Sequence, residues 1–382
     1  MIYLDHNATT PLAIEVLEAM GPYLSERFGN PSSYYQLGRQ AREAVEAARH
    51  QVAACLGAAP EEIVFTAGGT EADNLALRGA YRAAAGRGRH VVTTAVEHHA
   101  VLRTCQALVQ EGAEVTYLPV DGQGLVDPDD LRRSLRSDTV LVSVMAANNE
   151  TGVIQPLTEV TAAARERGVP VHTDAVQGAG KLDLKVDRLG VDLLALSAHK
   201  LQGPKGVGAL YVRRGTALAP AVTGGHQEGE RRAGTENVAG IVGLAAALDQ
   251  AVRARESEGR RLAALRDRLE AGIRARLDRV YVNGGGAPRV PNTTNLSFAA
   301  VDGEAIILHL DLQEICAATG SACTTGEPEP SHVLLAMGVE PRAAQGSVRF
   351  SLGRGNSAAE IDHTVDAVAG IVTQLRAIST LS

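Results

Sequence analysis

With 382 residues, 45% of them hydrophobic and 21% charged, the chain has the make-up of an ordinary soluble globular protein and is too long for one small core. Its net charge of −7 at pH 7 argues against a non-specific nucleic-acid binder. No apolar run reaches the ~18–20 residues that span a bilayer, and Met1-Ile2-Tyr3-Leu4-Asp5-His6 lacks the basic region and apolar core of a signal peptide, so a cytoplasmic protein with no membrane contact is expected.

In chain order, the first clear pattern is helical, over about 36–56, with Gly57 as its stop. Seven short apolar runs follow, at 63–65, 90–94, 114–118, 139–145, 169–173, 193–197 and 209–212, and read as strands. Between them lie helical patterns at 71–85, 100–110, 128–136 and 156–167. Strand–helix alternation over this length predicts an α/β large domain, its seven-stranded sheet mostly parallel and covered by helices on both faces. A long helix is expected at about 237–277, and its charged run from Arg253 to Arg261 reads as a solvated face. The remainder mixes strands (294–298, 347–351) with helices (304–312, 358–375), which predicts a smaller α+β domain. There are no internal repeats or low-complexity tracts.

Two residue counts bear on chemistry. Of 37 basic residues only four are lysine, namely Lys181, Lys185, Lys200 and Lys205. An amine that loses its proton and forms an imine is something arginine cannot replace, although Lys185 reads equally as a solvated charge. The four cysteines, at 55, 105, 316 and 323, have no CxxC spacing and are too few for a disulfide framework. Each is therefore a small buried group or a reactive thiol.

Four segments carry the candidate site. Thr66-Ala67-Gly68-Gly69-Thr70-Glu71 joins a strand to a helix, where glycines and a helix N-terminus suit a phosphate. Taken alone it is equally a turn with Thr70 as N-cap. In Val171-His172-Thr173-Asp174-Ala175-Val176-Gln177, the aspartate falls just past a strand, where parallel sheets bind ligands. A carboxylate there would keep a pyridine nitrogen protonated, and a loop or cap aspartate is the plain alternative. Ser197-Ala198-His199-Lys200 ends another strand with one of the four lysines, and there imine chemistry outweighs a structural role. In Thr319-Gly320-Ser321-Ala322-Cys323-Thr324-Thr325-Gly326, the cysteine has small polar neighbours, unlike Cys55 beside Val52 and Leu56. Glu97-His98-His99 lacks the spacing of a metal site, and one planar imidazole stacked on a cofactor ring suits it better.

These motifs, in this order, resemble the cysteine desulfurases of the class V aminotransferase superfamily, enzymes of fold type I that use pyridoxal phosphate. The similarity runs from Tyr3-Leu4-Asp5-His6-Asn7-Ala8-Thr9-Thr10-Pro11 to Arg349-Phe350-Ser351-Leu352-Gly353-Arg354, through Phe28-Gly29-Asn30-Pro31, Asn148-Asn149-Glu150-Thr151-Gly152 and Gly224-Gly225-His226-Gln227-Glu228. Gly320-Ser321-Ala322-Cys323-Thr324 is similar to the group with the longer catalytic loop that feeds iron–sulfur cluster assembly. The resemblance implies a large cofactor-binding domain at 13–255 and a small domain made of 1–12 and 256–382, with the cysteine loop at about 319–331. It implies that Lys200 bonds the cofactor as an imine, His98 stacks on its ring, Asp174 pairs with the ring nitrogen, and Asn149 and Gln177 contact ring substituents. Gly69, Thr70, Ser197 and His199 would cradle the phosphate, and Thr235 would reach the phosphate of a partner subunit in a homodimer. Arg349, assisted by Asn30, would hold the carboxylate of L-cysteine. Cys323 would take the sulfur as a persulfide and pass it to an acceptor or an iron–sulfur scaffold protein, for cluster assembly or tRNA thiolation. No intrinsic metal is implied, with Cys323 able to share a cluster with such a scaffold.

The family often has serine and alanine where Ala67 and Gly69 stand. Some relatives also continue past the position of Leu375 with a tail that touches the scaffold protein. The rival expectations are a selenocysteine lyase or small-amino-acid aminotransferase on the same fold, and a scaffold subunit that has lost catalysis.

Overall fold

The computed structural model describes residues 1–319 and 330–378. It begins with a two-residue strand, β1 (Ile2–Tyr3), followed by seven strands of one large sheet: β2 (Ile63–Thr66), β3 (His90–Thr94), β4 (Glu114–Leu118), β5 (Thr139–Ser143), β6 (Val171–Asp174), β7 (Leu193–Ser197) and β8 (Gly208–Val212). Their order across the sheet is β2-β8-β7-β6-β5-β3-β4. All run parallel except β8, which is antiparallel to both neighbours, β7 and β2. Only a short connection joins β7 to β8, too short for a crossover helix, so the chain must reverse there.

The side-chain period of two divides this sheet between two helical layers. On one face Leu194 and Leu196 of β7 lie with Ala209 and Tyr211 of β8, against Val45 and Val52 from the helix Gln36–Leu56 and Leu244 and Leu248 from the helix Val238–Arg276. On the other face Leu193, Ala195, Leu210 and Val212 pack with Leu75, Ala76 and Leu108 of the helices Gly69–Ala83 and His99–Gln110. The result is a three-layer α/β architecture. The Gln36–Leu56 helix ends where Gly57 adopts φ 69, returning its N–H to Ala53 and Ala54 carbonyls.

A second core lies toward the C-terminus. Strands β9 (Val280–Val282), β10 (Thr293–Phe298), β11 (Ile315–Cys316) and β12 (Ser347–Ser351) form two small sheets, the antiparallel β12-β10-β9 and the parallel pair β1–β11. Leu296, Phe298, Val348 and Phe350 meet Ile361, Val365 and Val372 of the last helix, Ala358–Ile378. The helix Val238–Arg276 serves both cores. Its 39 residues extend roughly 58 Å; Leu244 and Leu248 belong to the first core, and Leu262, Leu265, Leu269 and Ile273 to the second.

Two boundaries differ from the sequence expectation in ways that matter for the site. β5 stops at Ser143, two residues early, although the Val144 N–H still donates to the His172 carbonyl at 3.0 Å and the Ala146 N–H to the Asp174 carbonyl at 2.8 Å. Asp174 is the last residue of β6 itself, not a residue beyond it.

A candidate active site at the carboxyl edge of the sheet

Strands β2, β3, β5, β6 and β7 end on one side of the large sheet, and their following segments enclose a cavity of about 470 Å³. It is lined by Gly69 and Thr70 after β2, His98 after β3, Asn149 beyond β5, Asp174, Val176 and Gln177 at the end of β6, and Ser197, His199 and Lys200 at the end of β7. Asp5, Asn7 and Ala8 close it from the N-terminal segment, and Arg349 of β12 from the second core. Two site residues expected from the sequence lie elsewhere in the single chain. Asn30 is exposed, its Oδ1 spent on the N–H of Ser32 at 2.9 Å, and Thr235 is exposed in the segment before the long helix. Cys323 falls outside the described residues.

At the β2 end, Gly68 takes φ 154 with ψ −179, a backbone region that only glycine occupies readily. That turn starts the helix Gly69–Ala83, whose first-turn N–H groups have no intrahelical acceptor and so face a prospective anion. A β-carbon at Gly69 would lie 2.7 Å from Val176 Cγ2, so this branched neighbour leaves no room for a side chain at the position. Glu71 fixes the loop by accepting the N–H of Ala67 at 2.9 Å and pairing with Arg232 at 2.7 Å.

The Lys200 amine donates to the backbone carbonyls of Ala8, at 2.7 Å, and of Asn7. Burial, together with repulsion from Arg349, pulls its proton affinity down to about 8, with Asp5 and Asp174 acting in the other direction. Such an amine reaches its neutral, nucleophilic form near physiological pH. His98 caps the helix His99–Gln110: its Nδ1 accepts the N–H of Ala100 at 3.1 Å, which leaves the neutral ring's proton on Nε2. Asp174 accepts the N–H of Val176 at 2.9 Å. Burial raises its proton affinity, while His98, that N–H and Lys200 favour the carboxylate. His199 is pushed to about 4 by burial and by Lys200 and Lys205, and its Nδ1 meets Thr9 Oγ1 at 3.1 Å.

Arg349 is 6% exposed, and its guanidinium is only partly used. Nη1 donates to the Asn149 carbonyl at 3.0 Å and Nη2 to Asp5 Oδ1 at 2.7 Å, while Nε is buried without a partner among the described residues. Asp73, which also lines the cavity, belongs to a set of buried groups to which the sequence assigns no role. Asp73 Oδ1 stands 3.4 Å from His172 Nε2, neither atom having a hydrogen bond among the described residues, and His172 Nδ1 meets Ser143 Oγ at 2.9 Å. Burial drives Asp73 well above the carboxylate range, aided by Asp174 and Glu97, and drives His172 down to about 3. Glu97 accepts bonds from Thr94 Oγ1 and the Met145 N–H at 2.8 and 2.9 Å, yet burial still lifts it to about 8. Sequence did hold a signal for Asp73, a carboxylate on the stripe where Ala72, Leu75 and Ala76 face the sheet.

These features fit pyridoxal phosphate and an amino acid. Glycine and helix N–H groups suit a phosphate and a buried carboxylate suits a ring N–H, while among the described residues the Lys200 amine has no anionic partner within bonding distance and the Arg349 Nε–H no acceptor. Among the described residues no group of three potential metal ligands converges.

The family model for class-V aminotransferases matches residues 2–364. The cysteine desulfurase IscS of Dictyoglomus turgidum is 50% identical over 378 residues, 99% of this chain and 96% of that protein. IscS of Methanosarcina thermophila is 48% identical, covering 100% of this chain and 94% of its own. The solved structure of a NifS-like protein superposes with a TM-score of 0.91 at 38% identity, over 98% of this chain and 99% of that one.

The crowding at Gly69 makes Gly69→Ala weaken retention of pyridoxal phosphate by about fivefold or more, as ~1 kcal/mol or more of overpacking requires. Val176→Ala in the same chain restores it; a fluorescence titration giving wild-type affinity for Gly69→Ala alone would show that the loop absorbs the methyl. Glu97 makes stability depend on pH. Its contribution is complete below the ordinary value of 4.5 and is lost as pH rises through about 8. Melting temperatures of the cofactor-free protein therefore fall between roughly pH 5 and 9, and fall less in Glu97→Gln. Parallel curves for the two proteins would show that Glu97 is ionised throughout.

Proposed function

This chain belongs to the cysteine desulfurases of the class-V aminotransferase family, and from that membership we propose how its own residues take sulfur from L-cysteine. Pyridoxal phosphate, when bound, supplies an electron sink for negative charge at the substrate Cα. The reading is carried by one observation: Lys200 and Asp174, from two strand ends of the large sheet, and Arg349, from the middle of β12 in the second core, converge on a single cavity of about 470 Å³.

Lys200 holds the cofactor. Gly69, Thr70, Ser197 and His199 hold its phosphate, Asp174 its ring nitrogen, and Asn149 and Gln177 its ring substituents. His98 offers its ring face. Arg349 Nε, buried and without a partner among the described residues, takes the substrate carboxylate. That contact fixes the Cα–H direction, because the carboxylate and the amino group are then held at two points. Lys200 Nζ, free once the substrate amine has replaced it, has an affinity of about 8 that lets it give and take a proton near neutrality, and it moves the proton at Cα. The Cys323 thiolate then attacks the substrate sulfur. A sulfur–sulfur bond forms, the carbon–sulfur bond breaks, and its electron pair passes to the carbon skeleton, which leaves as alanine after protonation. Cys323 retains the persulfide.

A homodimer completes this arrangement. Thr235 stands exposed outside the cavity, and exposed Phe28, Tyr34 and Tyr35 flank Asn30. A second copy covering these side chains would carry Thr235 toward the neighbouring phosphate and Asn30 toward the substrate. The persulfide passes to an acceptor protein that serves iron–sulfur cluster assembly or tRNA thiolation, and the setting is cytoplasmic. No described helix is long and apolar enough to cross a membrane.

Lys200→Ala should purify without the lysine-bound cofactor, and borohydride reduction should leave no pyridoxyl adduct at position 200 by peptide mass spectrometry. Persistence of the wild-type visible band in that variant would reassign the lysine. Cys323→Ser should bind cofactor and L-cysteine normally but lose at least about 99% of turnover, the scale expected when a nucleophile is removed. Alanine release at the wild-type rate would exclude Cys323 from sulfur transfer.

A further inference from the structure

Three of the four lysines have no part in this chemistry. Lys185 donates to the Ala54 carbonyl at the surface, and Lys205 lines the open side of the phosphate loop. Lys181 is different. It is partly buried directly behind the active-site cavity, and its amine donates to Gln177 Oε1 at 3.1 Å. At the other end of that amide, Gln177 Nε2 donates to the Asn7 carbonyl at 3.0 Å, the same carbonyl that receives Lys200. Gln177 lines the cavity, whereas Lys181 borders a separate, smaller one of about 100 Å³ on the far side.

The two ends of a glutamine amide have nearly the same shape, so its orientation is decided by its partners. The ammonium form of Lys181 can only donate, and the Asn7 carbonyl can only accept, so together they turn Oε1 toward Lys181 and Nε2 toward Asn7. One Nε2 hydrogen is spent on Asn7, and the second is left for an acceptor. We propose that Lys181 is a positioning residue, which locks the Gln177 amide so that its N–H, and not its C=O, meets the anionic ring oxygen of bound pyridoxal phosphate. This inference rests on the reading of the site given above and concerns how one of its contacts is aimed.

The surroundings make that lock costly to maintain and therefore informative. Lys200 and Arg349 repel the Lys181 ammonium, and His6 lies close enough to feel it. Glu258 and Arg354 border the small cavity beside it. Burial with those two cations pulls Lys181 to about 7. A lysine that merely solvated the surface would not be placed against two like charges.

The test uses the holoenzyme and follows the visible absorbance of bound pyridoxal phosphate as a function of pH. A donor on the ring oxygen favours the deprotonated form, so losing it moves the titration midpoint upward. Lys181→Met, which keeps the aliphatic stem, is expected to raise the midpoint by about one pH unit, the tenfold effect of one lost charge-assisted contact. Lys181→Arg should restore most of it. In a Gln177→Ala background the Lys181→Met change should add nothing, because the lysine acts through that amide. Gln177→Glu, which keeps the bond to Lys181 but removes the donor, should also raise the midpoint, independently of how methionine is tolerated at 181. An unmoved midpoint in Lys181→Met or in Gln177→Glu overturns the proposal. An equal shift in the Gln177→Ala background also overturns it, by showing that charge alone is at work. A wild-type protein that binds no pyridoxal phosphate would refute the reading of the site itself.

Discussion

The backbone carbonyl of Asn7 holds this structure's active site in register. It accepts from both Lys200 and Gln177, while the Asn7 side chain donates to the Asn149 carbonyl at 3.1 Å and to Thr293 Oγ1 at 2.9 Å, and its N–H reaches Ser351 Oγ. One residue near the N-terminus thereby ties the ends of β6 and β7 to the segment after β5, to β10 and to β12. Unpaired polar groups at such a crossing would be expensive, and Asn292 adds a further bond to Asn7 Oδ1 at 3.2 Å. Arg349 repeats the pattern between Asp5 and Asn149. The cavity is thus walled by a chain segment that belongs by pairing to one core and by contact to the other.

Electrostatics in the cavity follow from burial without complete pairing. Three carboxylates, Asp73, Glu97 and Asp174, lie buried within mutual influence, and burial opposes ionising each of them. Asp174 alone is opposed by both His98 and Lys200. Negative charge therefore concentrates where a ring nitrogen would sit, and the acids behind it are favoured in neutral form. The amines show the reverse trend: Lys200 and Lys181 both lie below the ordinary lysine range because burial and neighbouring cations disfavour their charged forms.

Much of this was legible from residue order. The seven strands, the long helix and the placing of Lys200 and Asp174 at strand ends all followed from periodicity and from the lysine count, because buried parallel strands are short apolar runs with little ambiguity. The helix Ile14–Ser25 was not foreseen: Pro22 lies inside it, and Ile14, Leu17 and Leu24 face outward, so its apolar stripe is blurred. The reversal at β8 leaves no mark on a run that is buried on both faces; its one sequence signal is the short stretch between the runs at 193–197 and 209–212, which leaves no room for a crossover helix. Within the site, Asp73 stands in no motif, and His172 and Glu97 stand in motifs that draw attention to their neighbours, because the significance of all three comes from which other buried groups they face. Asn30 and Thr235 were named only through resemblance, and the single chain leaves both in solvent.

The helix Val238–Arg276 has a consequence for cooperativity. Because one uninterrupted rod supplies Leu244 and Leu248 to one core and Leu269 and Ile273 to the other, neither can melt without withdrawing a wall from its neighbour. Two such units, though divided by their sheets, would denature as one thermodynamic block. Swinging one against the other would mean bending the shaft itself, so traffic into the cavity falls to side chains and short connections.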